Sequence, residues 1–112
     1  MSDITLKKIV KQYFKSFNNH SSIQLSKLFA NNIQLRDWEV NLQGKKAVLL
    51  HNNKIFRENK KINVKILKLF TKNKIVVAEL FISINKRKNI NVVDILTYNN
   101  KYLITSIKAF IG

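Results

Sequence analysis

The chain has 112 residues, 46% of them apolar, no cysteine, and a formal net charge of +15 from 21 basic and 6 acidic residues. Such a length and apolar content suit one globular domain rather than a disordered segment, and the lack of cysteine excludes disulfides and thiolate zinc sites. No apolar run approaches the ~20 residues of a membrane span, and the polar start Met1-Ser2-Asp3-Ile4-Thr5-Leu6-Lys7-Lys8 lacks the apolar stretch of a signal peptide, so a cytoplasmic protein is expected.

The first predicted element is a helix. Leu6, Ile9, Val10, Tyr13, Phe14 and Phe17 recur at helical spacing, with Ser2 or Asp3 available as N-cap. The polar stretch from Asn18 to Ser22 interrupts it. A short second helix then carries Ile23, Leu25, Leu28 and Phe29 and ends at Asn31-Asn32. A strand over 33–38 alternates Ile33, Leu35 and Asp37, and a turn follows near Asn41. Gly44 opens a third helix, from Lys45 to about Glu58, expected to bury Val48, Leu49, Ile55 and Phe56. From Ile62 the pattern changes to strands over 62–70, 75–84, 90–98 and 102–111, joined by short polar turns rich in Asn and Lys. Helices first and an antiparallel meander afterwards predict an α+β fold with the helices on one face of the sheet.

Three polar side chains fall where apolar ones belong. Asp37 shares a strand face with Ile33 and Leu35, and Asp94 shares one with Ile90, Val92 and Leu96. Tyr13 sits on the apolar stripe of the first helix, so its hydroxyl needs a partner within or beside the core. Each has a plain structural explanation. Tyr13 fits a core tyrosine bonded to a carbonyl, Asp37 a strand-end aspartate capping the next turn, and Asp94 a buried acid bonded to backbone amides. Burying a carboxylate is costly unless it is paired, hydrogen-bonded or protonated, and two in a chain so short of acids point to a polar pocket inside the core. The two histidines, His20 and His51, are too few and too far apart in sequence to suggest a metal site, and no cofactor is expected.

The chain resembles the nuclear transport factor 2-like superfamily in its ketosteroid isomerase and SnoaL-like branch, over nearly its whole length. The segments that carry the resemblance are Tyr13-Phe14-Lys15-Ser16-Phe17-Asn18, Leu28-Phe29-Ala30-Asn31-Asn32, Leu35-Arg36-Asp37, Val92-Val93-Asp94-Ile95 and Ile104-Thr105-Ser106-Ile107-Lys108-Ala109-Phe110. It implies a curved antiparallel sheet wrapped by three N-terminal helices around a cone-shaped apolar pocket. It also implies roles: Asp37 as the proton-shuttling base, with Tyr13 and a protonated Asp94 as donors to an oxyanion. The apolar face around Asp94 favours the neutral acid that such a donor must be. Trp38 stands where the family usually has proline, and Asn52 falls near the place of a second tyrosine. The resemblance places Phe17, Phe56, Leu35 and Trp38 along the pocket wall. From the later strands it adds Glu79, Phe81, Val92, Leu96 and Ile107.

The implied partner is a small apolar carbonyl or phenolic ligand, turned over by isomerase-type proton transfer. A non-catalytic binding module or a protein-interaction module of the same fold would fit the same residues. Because Ala78, Leu80, Ile82 and Ile84 are apolar opposite Val77, Glu79 and Phe81, a homodimer through an outer sheet face made by those four residues is expected. Nucleic acid is not an expected partner. The 18 Lys, 15 Asn and 15 Ile against 3 Arg match A/T-rich codon usage, and the lysines are scattered rather than clustered.

Overall fold

The computed structural model describes residues 2–112. Helix α1 spans Asp3–Asn18, and the Ser2 side chain caps it by accepting the Thr5 N–H at 3.1 Å. Helix α2 spans Ser22–Leu28 and is capped in the same way by Ser21. Strand β1 (Phe29–Arg36) starts immediately after it, earlier than expected. A three-residue strand, β2 (Asn41–Gln43), follows. Helix α3 runs Lys45–Glu58 behind Gly44, whose φ of 93° is a conformation that a side chain would resist. Four long strands complete the chain: β3 (Ile62–Lys72), β4 (Ile75–Ile84), β5 (Lys88–Tyr98) and β6 (Ile104–Ile111).

The six strands form one curved, unclosed sheet in the order β2-β1-β6-β5-β4-β3. The β3–β6 meander is antiparallel, as expected. β1 joins β6 in parallel, so the sheet is mixed rather than wholly antiparallel. That pairing closes the longest loop in the fold, and no local pattern announces it. Apolar residues of α1, α2 and α3 pack with the inner sheet face in one core that includes Leu6, Val10, Leu25, Val48, Leu80 and Leu96. At α1's end, Asn18 donates to the Val64 carbonyl at 2.9 Å and accepts the Val64 N–H at 2.7 Å. The amide thus replaces a strand neighbour at that point of β3 and ties the helix to the sheet.

The register of β4 corrects the sequence expectation. Ala78 lies opposite Asp94, Leu80 opposite Val92, and Ile82 opposite Ile90, and directly opposed residues share a face. Ala78 and Leu80 are fully buried, Ile82 packs against the core, and Ile84 lies on the same inner face. That stripe is occupied by the chain's own core and is not open to a second subunit. Val77, Glu79 and Phe81 are the residues that face away from the helices. The strand is apolar on both faces, so alternation alone could not choose the phase; pairing with the Asp94 face does.

Candidate functional site

Asp94 reaches the interior because β5 alternates strictly, so Val92, Asp94, Leu96 and Tyr98 turn inward and are buried. Tyr13 comes from the facing side of α1, held by an edge-to-face contact with Phe14 at 4.9 Å and by Phe29 at 6.1 Å. Tyr13 and Asp94 line one small chamber of about 70 Å³. Its other walls are apolar: Phe14, Phe17, Val64, Leu80 and Ile82.

This setting decides the protonation of both groups. Burial, with the Asp37 carboxylate adding its repulsion, pushes Asp94 from 3.8 up to about 7. Burial also pushes the Tyr13 hydroxyl well above the usual phenol range, helped by Asp94 and then Tyr98. Near neutral pH a large share of Asp94 is therefore a neutral acid beside a neutral phenol, and both can donate hydrogen bonds into the chamber.

Asp37 occupies a different place. It sits just beyond β1, where its N–H donates to the Val40 carbonyl at 3.0 Å. Its Oδ1 accepts the N–H groups of Glu39 at 2.7 Å and Val40 at 2.8 Å. The turn-capping arrangement is thus present, and it leaves Oδ2 as the oxygen outside the turn. Asp37 lines a second, larger chamber of about 260 Å³ toward the open end of the sheet. Trp38, Ile55, Ile62, Ile84 and Ile90 wall that chamber. Glu39, His51 and Asn59 supply its other polar groups. Phe17 and Ile82 line both chambers, so the two adjoin.

Of the residues that the sequence placed along a pocket, Phe17 and Trp38 line these chambers. Leu35, Phe56, Val92, Leu96 and Ile107 are buried in the core and line neither. Glu79 and Phe81 lie on the far side of the sheet, for the register reason above. His51 and Tyr98 were missed. Tyr98 shares the parity of Asp94 and Leu96, a signal already present in the sequence, and its hydroxyl is buried without a hydrogen-bond partner among the described residues. Asn52, near the place of a family tyrosine, is likewise buried, and its Nδ2 has no partner among the described residues. A larger groove of about 580 Å³ opens beside Arg36, Asp37, Trp38 and Lys108. Neither Tyr13 nor Asp94 lines it, so it lacks the paired neutral donors that distinguish the interior. Among the described residues there is no cluster of three or more metal-ligating side chains, and no helix is long and apolar enough to cross a membrane.

No family model and no curated protein matches the chain. Solved structures do. A nuclear transport factor 2-like protein of unknown function from Cytophaga hutchinsonii is 17% identical, with 99% of this chain and 93% of that one covered and a TM-score of 0.84. A SnoaL-like protein of unknown function from Burkholderia thailandensis is 9% identical, covering 99% and 97%, with a TM-score of 0.87. A chain from Kribbella flavida provisionally named a ketosteroid isomerase is 13% identical, covering 96% and 77%, with a TM-score of 0.83. At such identities the likeness concerns architecture, and the architecture is plain: three helices on a curved, unclosed six-stranded sheet, the nuclear transport factor 2-like fold of the SnoaL-like and ketosteroid isomerase-like proteins.

Proposed function

We propose that the interior binds a small carbonyl or phenolic compound by its oxygen, between Tyr13 and Asp94, and that Asp37 moves a proton on carbon next to that carbonyl. The observation that carries this reading is that Tyr13 and Asp94 line one otherwise apolar chamber, where burial raises the Asp94 carboxyl to about 7 and so keeps a large share of it protonated near neutral pH. Two donors preorganised in such a site stabilise the negative charge that develops on oxygen as an enolate forms. In the forward step the Asp37 carboxylate takes the α-proton, and the C–H electron pair moves into the enolate, whose oxygen the two donors hold. Asp37 then returns its proton to carbon, and no co-reactant is needed.

The test is deuterium exchange at the α-carbon of a small ring ketone such as 2-tetralone in D₂O, followed by NMR. The expected result is exchange faster than buffer, abolished in Asp37→Asn and slowed at least about 100-fold in Tyr13→Phe, the scale of losing one oxyanion donor. Exchange unchanged by Asp37→Asn would refute the catalytic part.

One observation favours a second reading, a binding module without catalysis. Asp37 Oδ1 is engaged by its own turn, and Asp37 lines the neighbouring chamber rather than the one that Tyr13 and Asp94 share. Ligand binding that depends on Tyr13 and Asp94, with no exchange in any variant, would select it.

A further inference from the structure

We propose that the groove beside the β1–β2 turn is a second ligand site, separate from the interior, and that it takes aromatic carboxylic acids, with the carboxylate on Arg36 and Lys108 and the ring against Trp38 and Phe110. The groove exists because β6 outruns its neighbour. β1 pairs with β6 as far as Arg36 opposite Lys108, whereas β6 continues through Ala109 and Phe110 to Ile111. The chain leaves β6 there, since the Asp37 N–H donates to the Val40 carbonyl and the turn leads back into β2. The open flank of β6 and the turn border a space of about 580 Å³, within the ~300–1,000 Å³ of small-molecule sites.

Two features of the lining are unfavourable without an occupant. Leu35 and Ile107 are buried, so the residues after them, Arg36 and Lys108, point together to the outer face, on strands about 4.8 Å apart. Like charges side by side on a sheet repel, and an anion between them removes the repulsion. The Arg36 fork and the Lys108 ammonium are both donors suited to a carboxylate. Phe110 follows two residues beyond Lys108 on the same face and is 54% exposed, while Ile111 is 51% exposed and Trp38, on the turn, 46%. Three large apolar side chains left in water around one groove make a patch that a ring can cover. Asp37, the one acid among the described residues that line the groove, gives its Oδ1 to the N–H groups of Glu39 and Val40, so two cations face one carboxylate already held by its turn. A neutral ligand would leave the cation pair unanswered, and a small inorganic anion would leave the patch uncovered. An aromatic acid answers both.

The experiment is a titration with 2-naphthoate, and with 2-naphthol as its uncharged counterpart, followed by amide NMR on wild type, Arg36→Gln, Lys108→Gln and Phe110→Ala. All three replaced side chains are exposed, so the variants are expected to fold, and their spectra check this. Naphthoate is expected to shift the amides of Lys108 and Ile111, which line the groove and neither interior chamber. Its affinity should fall about fivefold in each Gln variant, the scale of one exposed charge pair, and by a similar factor in Phe110→Ala. It should also fall as salt shortens the screening length from about 10 Å at 0.1 M to about 3 Å at 1 M. 2-Naphthol should leave those two amides unmoved. Naphthoate affinity unchanged in both Gln variants, shifts confined to Tyr13 and Asp94, or no saturable shift at Lys108 and Ile111 would each overturn the second site while leaving the reading of the interior standing. Naphthol moving the same amides as strongly as naphthoate would overturn the preference for an acid.

Discussion

Replacing Asp94 by Asn should change how stability depends on pH more than stability itself. In the folded protein the Asp94 carboxyl titrates at about 7 instead of 3.8, chiefly because it is buried. Below pH 3.8 both folded and unfolded chains hold the proton, and the folded state suffers no penalty. Between 3.8 and about 7 the unfolded chain has released its proton while the folded one keeps it, so each rise in pH favours unfolding by up to about 1.4 kcal/mol per pH unit. Above about 7 both are ionised and the loss is complete, at an upper limit on the order of 4 kcal/mol. The amide of the Asp94→Asn variant cannot titrate. It would want a partner in an apolar chamber, a cost of about 1–3 kcal/mol that is the same at every pH. Urea unfolding of both proteins at intervals from about pH 4.5 to about 8.5, spanning the window in which the two states differ in protonation, measures this. The difference between the curves removes whatever His20, His51 and the other acids contribute to both proteins. It should move steadily in favour of the Asn variant as pH rises to about 7, then level off. Parallel curves would refute the claim that Asp94 is buried as a neutral acid.

Asn18→Ala removes both bonds between the end of α1 and Val64, and should lower stability by about 2 kcal/mol in urea unfolding; a loss below ~0.5 kcal/mol would mean that α1 is held by packing alone. Tyr98→Phe deletes a buried hydroxyl without a partner among the described residues, so the urea midpoint should hold or rise by up to about 1 kcal/mol of stability. A fall of that size instead would show the hydroxyl to be bonded in solution.

Much of this architecture was legible because each segment's period agreed with its final partner. Leu6, Val10, Tyr13 and Phe14 repeat at helical spacing and are among the residues that α1 buries, while Val92, Asp94 and Leu96 repeat at strand spacing and all turn inward. Misreadings arose where two patterns competed. Leu25, Leu28 and Phe29 fit a continuing helix, yet Phe29 begins β1, whose place is set by its distant partner β6. Asn41-Leu42-Gln43 is too short and too polar to declare itself a strand. On α3 Val48 and Phe56 are buried and Leu49 and Ile55 pack against the core as expected, while Asn52, buried between Val48 and Phe56, was not foreseen because it is polar. β4 failed because both of its faces are apolar. The site divides along the same line: inward Tyr13 and Asp94 follow from local period, whereas the placing of Asp37 in a neighbouring chamber depends on the turn that its own carboxylate caps after β1.

The most direct test of the central claim is a crystal structure of the protein soaked with 2-naphthol, since it shows where the oxygen goes. The expected result places the naphthol oxygen within about 3 Å of both the Tyr13 hydroxyl and an Asp94 carboxyl oxygen, with the rings extending toward Asp37. Naphthol bound with its oxygen at Asp37 or His51, or lying in the groove beside Arg36 and Lys108 with the inner chamber unfilled, would contradict it.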